Sequence, residues 1–189
     1  SYCLFGSKKH LMNELFENKS YPFYKFGDAI YLQKIGTQDW VEYICNRFSV
    51  TGKQISEQLA ERICQAVDNH SSYVQQLAWL VWIHTDKIAT EKDFESAYQD
   101  IIDQNTPLFE KQTESLTTYQ MNFLRAVLDG VHSEFTKQEI LNKYQLGTSA
   151  NISIVKRALE KKELIEIEKR KIIIPDPIMS VWLKRELGI

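Results

Sequence analysis

Glycine is scarce in this chain, 7 in 189 residues; proline is scarcer at 4; and the 3 cysteines, Cys3, Cys45 and Cys64, lie far apart. So few glycines and prolines exclude collagen-like and linker-dominated architectures. They also limit phosphate-cradling loops, whose backbone N–H groups must approach charged oxygens closely. An odd, unclustered cysteine set without C-x-x-C spacing argues against a disulfide framework or a structural zinc site, and reads as three small apolar thiols. Long apolar runs are missing as well. The densest, at residues 77–83, falls far short of the ~18 residues needed to cross a bilayer. No basic-then-apolar leader opens the chain, which predicts a cytoplasmic protein without membrane attachment. What is present is globular composition, 43% hydrophobic and 25% charged. Charge is polarised: residues 1–114 carry 11 Lys+Arg against 16 Asp+Glu, and residues 115–189 carry 12 against 9.

The apolar run at 2–5 stops at Gly6-Ser7 and reads as a strand, followed by a short helix over roughly 9–17 with Leu11, Leu15 and Phe16 on one face. Residues 29–32 read as a second short strand. Two isolated strands cannot make a stable sheet, so they are expected to be the remnant of a larger one. From Thr37 to about Gln112 the apolar spacing predicts four helices in a small bundle. Its stripes are Trp40, Ile44 and Phe48; Ile55, Leu59, Ile63 and Val67; Tyr73, Val74, Leu77, Leu80 and Val81; and Phe94, Ala97, Tyr98 and Ile101. Tyr73 to Val81 is the predicted central helix.

The pattern then changes. Thr117-x-x-Gln120 is a capping box opening a helix that Gly130 closes. Thr136-x-x-Glu139 predicts a capping box for a second, shorter helix ending near Tyr144. A third helix runs from Thr148 or Ser149 to about Lys162, with Ile152, Val155, Ala158 and Leu159 inward. Residues 164–168 and 171–174 make a hairpin around Lys169-Arg170, and Asp176-Pro177 starts a last helix. Helix, helix, tight turn, helix and hairpin make a winged helix-turn-helix. The predicted fold is mainly α: a bundle over 37–112, a winged helix over 113–189, and a two-strand α/β remnant over 1–36.

Catalytic signatures fail one by one. The only Gly-Lys pair, Gly52-Lys53, is followed by Gln54 and preceded at five residues by Arg47, so it is not a P-loop. The apolar run at 172–174 that leads to Asp176 resembles a Walker B strand but falls on the predicted wing. The four histidines, His10, His70, His84 and His132, are dispersed without metal-ligand spacing. Asp100 and Asp103 share a helix turn in a polar stretch and read as a solvated face. Lacking Walker A and B segments, the chain by itself is expected to be inactive and to hold no cofactor or metal.

Several segments nonetheless carry a resemblance. Gly6-Ser7-Lys8-Lys9-His10-Leu11-Met12 resembles the stretch after the sensor-1 strand of prokaryotic AAA-type P-loop ATPases, relatives of the STAND NTPases and of archaeal origin-recognition ATPases. Pro22-Phe23-Tyr24 through Ile30-Tyr31-Leu32 is similar to the final strand of that core. Asn69-His70-Ser71-Ser72-Tyr73-Val74-Gln75-Gln76-Leu77-Ala78 resembles the family's lid signature, with Ser71-Ser72 where proline is common and no sensor-2 arginine in the helix that follows. Leu116-Thr117-x-x-Gln120 and Tyr144-x-Leu146-Gly147-Thr148-x-Ala150-Asn151-Ile152 resemble its winged-helix motifs. The resemblance implies a lid at 37–112 and a P-loop core lying upstream, which would bind ATP and Mg. It places Ser7 at the γ-phosphate-sensing position, Lys8 near phosphates, and His70 and Tyr73 near the base.

For the winged helix two partners stand open, double-stranded DNA and a protein. In the DNA reading Ser149, Asn151 and Ser153 face base edges, while Lys156, Arg157, Lys169, Arg170 and Lys171 meet phosphates. In the protein reading the domain is a docking module, and Glu160, Glu163, Glu166 and Glu168 dilute its basic face. A stand-alone transcription regulator with a helical sensing or dimerisation domain is the alternative to the ATPase reading, and a protein-binding adaptor is a third. Oligomeric state is not legible.

Overall fold

The structure, a computed structural model, describes residues 4–6, 9–28, 30, 32–168 and 170–189, without the side chains at 9–11 and 13. Two compact units divide the chain, residues 1–33 and 34–189. In the first, α1 (Lys9–Glu17) follows the predicted span. The Tyr21 hydroxyl donates to Glu14 at 3.0 Å, the Phe16 and Phe23 rings lie tilted with centroids 6.2 Å apart, and Phe23 and Phe26 meet edge-on at 6.0 Å. The described parts of the two expected strands, residues 4–6 with 30 and 32, are in no ladder. A strand acquires its conformation from its hydrogen-bonded neighbours, and a lone apolar segment has none. Residues 1–3, 29 and 31 lie outside the described residues.

The second unit opens with α2 (Thr37–Val50), α3 (Glu57–Ala66), α4 (Ser71–His84) and α5 (Glu91–Thr113), the four helices the apolar spacing predicts. Two of them, α3 and α5, open on a side-chain cap. Ser56 accepts from the Leu59 N–H at 3.2 Å, and Thr90 and Asp93 form a reciprocal capping box that opens α5. The most apolar helix, α4, buries Tyr73, Val74, Leu77, Leu80 and Val81 and packs against α2, α3 and α5. The turn before it takes a left-handed path at Asp68 and Asn69, φ 49° and 52°, which their short polar side chains tolerate. Lys34 donates to the Asp68 carbonyl at 2.9 Å and pairs with its carboxylate. Asn69 donates to Thr37 Oγ1 at 3.0 Å.

The winged helix follows as α6 (Thr118–Leu128), α7 (Gln138–Lys143), α8 (Ser149–Lys161), β1 (Glu166–Glu168), β2 (Lys171–Ile173) and α9 (Pro177–Leu187). The Thr117–Gln120 capping box forms as expected, and Gly130, at φ 90°, lets the chain leave α6. The second expected box does not form. Helix α7 begins at Gln138 behind Lys137, with no side-chain cap. Upstream, Phe135 is buried and stacked on Phe123 at 4.3 Å, and the Lys137 N–H bonds the Glu134 carbonyl at 3.0 Å. The chain is therefore still turning at Thr136, where a cap would need extended backbone. β1 and β2 pair antiparallel, with Glu168 opposite Lys171 and Ile167 opposite Ile172. The Ile172 N–H donates to the His132 carbonyl at 2.9 Å, which ties the hairpin to the loop after α6.

The expected boundary at 112/113 falls in the last turn of α5, inside this second unit. Helix α5 packs along α4 at one end and on α9 at the other. Phe109 near its end is fully buried, its ring 5.7 Å from that of Trp182 on α9. One continuous core holds the bundle and the winged helix.

Candidate functional site

Two places gather the residues singled out in sequence. The first is the start of α4. His70 occupies the N-cap position there without a side-chain cap bond, and its Nδ1 is buried with no hydrogen-bond partner among the described residues. A buried imidazole nitrogen left so costs on the order of 1–3 kcal/mol. The His70 ring lies 4.8 Å from that of Tyr73. Tyr73 is buried, and its hydroxyl donates to Asp176 Oδ2 at 2.7 Å, across 103 residues of sequence. Burial first, and the Asp176 carboxylate second, push the phenol above its ordinary range. The other carboxylate oxygen of Asp176 accepts from the Met179 N–H at 2.9 Å and caps α9. One carboxylate thus joins the first turn of the bundle's central helix to the first turn of the winged helix's last. The hydroxyl of Tyr73 is committed to this joint, while His70 Nδ1 is enclosed without a partner among the described residues. Ser7 and Lys8 lie outside the described residues.

The second place is the outer face of the winged helix. Ser149, Ser153 and Arg157 on α8 are exposed, and Lys156 is half-buried. Asn151 is half-buried because its side chain folds back on the turn before the helix, where its Nδ2 would stand 2.7 Å from a Cβ at Gly147. On the hairpin Arg170 and Lys171 are exposed, but Lys171 faces Glu168 across the ladder, which compensates part of its charge. Lys169 lies outside the described residues. The Walker-B-like run resolves as expected into the wing, β2, and the Asp176 cap of α9.

Three functional candidates escaped the sequence reading. Asp176 was visible as a cap, but its partner at position 73 carries no local signal. Ile154 is 69% exposed on α8, and with Arg157, Lys161, Ser153 and Ala158 it lines a shallow depression of about 440 Å³. Its signal was available, since position 154 is out of phase with the inward Ile152, Val155 and Leu159. A third feature is an apolar groove of about 390 Å³ between α2 and α4, lined by Tyr43, Arg47, Trp79 and Trp82 among others. Lys53 sits over the Trp82 ring at 4.3 Å and donates to the Trp82 carbonyl at 2.6 Å. No group of three or more metal-ligating side chains occurs among the described residues. No helix among them is long and apolar enough to cross a membrane.

Comparison with known proteins adds two findings. Residues 107–185 match the family model of a probable winged helix domain. The chain is similar in structure to the Walker-type ATPase of Pyrococcus abyssi, with a TM-score of 0.68 at 16% identity, over 95% of this chain and 51% of that one. The chain thus has the fold of about half of that protein. No curated protein matches it.

Proposed function

We propose that this chain is the regulatory half of a Walker-type ATPase, working with a P-loop core that supplies the nucleotide site. In this reading the bundle at 37–112 is a lid that closes on ATP and Mg held by that core, and the winged helix is the surface through which closure is read out. The observation that carries it is the Tyr73–Asp176 bond. It fastens the ligand-facing end of α4 to the N-terminus of α9, so whatever displaces the lid displaces the winged helix with it. Support comes also from the apolar side chains of the N-terminal unit. Phe5, Ile30 and Leu32 are 92%, 84% and 91% exposed, as expected of segments that a larger parallel sheet would cover. In this reading the His70 ring meets the nucleotide base, its Nδ1, buried without a partner among the described residues, being uncovered to it as the lid closes, and the phosphate cradle comes from the core.

The test uses the product of the full reading frame. Titration with a fluorescent ATP analogue is expected to give saturable binding, weakened about tenfold in His70→Ala, the loss of one hydrogen bond to a bound ligand. Tyr73→Phe is expected to bind normally but to reduce the nucleotide-dependent change in distance between labels on the core and on α8, the Phe109–Trp182 seam retaining the rest. Absence of nucleotide binding, or a His70→Ala variant that binds as wild type, rejects the reading.

For the readout surface we favour a protein partner. Direct contact with duplex DNA is a second reading, supported by the exposed Arg157, Arg170 and Lys171. A steep loss of duplex binding with added salt is its signature.

A further inference from the structure

The exposed face of α8 combines two features rarely left together on a free surface. Its centre is apolar: Ile154 is 69% exposed and shares a depression with Ala158 and with the residues Arg157 and Lys161. Its edge is cationic, and these cations are uncommitted. Elsewhere in the same unit Lys34 pairs with Asp68, Arg62 with Glu91 and Glu95, and Lys137 with Glu134. Arg157 and Lys161 are in no ion pair among the described residues.

The surroundings decide between the two macromolecules such a face could meet. A helix reading DNA by bidentate contacts needs an amide or guanidinium at its N-terminal end, yet Asn151 is folded onto Gly147, the exposed polar groups there are the short hydroxyls of Ser149 and Ser153, and Ile154 holds the middle of the face. Phosphates would also approach Glu160 on α8 and Glu168 on the wing, both exposed. A protein segment carries its carboxylates singly and can place them beside Arg157 and Lys161 while keeping clear of Glu160. It can also fill the depression with an apolar side chain, which removes Ile154 from water.

The geometry points to a docking site on α8 for a protein segment that presents one apolar side chain flanked by carboxylates. The apolar side chain seats against Ile154 and Ala158, and the carboxylates pair with Arg157 and Lys161. This rests on the winged helix being the readout surface, but its test involves no nucleotide, so either idea can fail without the other.

Two fluorescein-labelled probes are titrated separately against the chain at the same salt. One is a peptide with a leucine stripe flanked by glutamates, the other a random-sequence DNA duplex. The peptide is expected to bind and to weaken about tenfold in the double variant R157E/K161E, and similarly in Ile154→Asp. All three positions are exposed, so the variants are expected to fold, and far-UV dichroism checks that they do. A matching peptide flanked by lysines is expected to regain binding to R157E/K161E, an exchange that unfolding cannot mimic. The proposal is overturned by a duplex that binds more tightly than the peptide and is lost in the same variants. It is equally overturned by a peptide that does not bind, or whose binding ignores the substitutions.

Discussion

Gly147 illustrates how one residue without a side chain sets the geometry of the turn into α8. Its φ is 79°, and an added Cβ would lie 2.7 Å from Asn151 Nδ2 and 3.1 Å from the Tyr119 ring. Gly52 has nearly the same backbone, φ 76°, with nothing within 4 Å of the added atom. Alanine at either position carries the left-handed penalty of about 1–2 kcal/mol. At 147 it must also push the Asn151 amide off the turn. Urea unfolding is expected to show Gly147→Ala less stable than Gly52→Ala by about 1 kcal/mol. It should recover part of that difference when Asn151→Ala is added; equal losses would mean the amide moves aside freely. Cys64 makes a second prediction at this scale. Burial pushes its thiol from 9.0 up to about 11. The unfolded chain therefore releases this proton first as pH rises, and the contribution present below pH 9 is lost between 9 and 11. Tyr73, raised above 10.0, acts in the same direction at higher pH. The urea midpoint is expected to fall above pH 9, and to fall less steeply between 9 and 11 in Cys64→Ala. A slope unchanged by that substitution would assign the alkaline loss elsewhere.

At the scale of elements, what the sequence discloses is local. The Thr117–Gln120 box, the Asp176-Pro177 start and the inward stripe of α8 are short-range chemistry, and the structure contains them at those positions. Thr136-x-x-Glu139 has the same lettering but yields no cap, because packing of Phe135 on Phe123 dictates the path into α7. A cap of about 1 kcal/mol does not override a buried aromatic pair. Half of the candidate site was legible on the same grounds. His70 and Tyr73 could be placed at a helix start, but the Asp176 partner of Tyr73 is 103 residues away and follows from no spacing. That joint can be measured. Asp176→Ala removes the cap of α9 and leaves a buried hydroxyl unpaired, an expected loss of about 2–4 kcal/mol. Tyr73→Phe removes only the bond, about 1 kcal/mol. The double variant is expected to lose less than the sum of the two, since both remove the same bond. Strict additivity in denaturant midpoints would mean that the hydroxyl and the carboxylate do not interact.

At the scale of the molecule, the question is whether the bundle and the winged helix are two bodies or one. Sequence patterning divides them, by the change in helix style after residue 112 and by the reversal of net charge. Packing joins them. Helix α5 carries buried residues from Phe94 to Phe109, the far end rests on α9, and the core is continuous across the seam. A bundle that hinged freely from the winged helix would have to open this seam. Burial at the seam is apolar and fully closed around Phe109, so opening it exposes a large aromatic side chain at a cost of a few kcal/mol. Residues 34–189 are therefore expected to unfold in one transition, with dichroism and tryptophan fluorescence coincident. The fluorescence draws on Trp40, Trp79 and Trp82 from the bundle and Trp182 from the winged helix. Phe109→Ala supplies the sharper test. Its loss of about 3–5 kcal/mol should lower hydrogen-exchange protection equally in α4 and α9, because one cooperative unit transmits a defect to all its amides. If protection fell in α9 while α4 kept its own, the winged helix would be a separate body, free to swing. Movement of the bundle would then no longer dictate where the exposed face of α8 points.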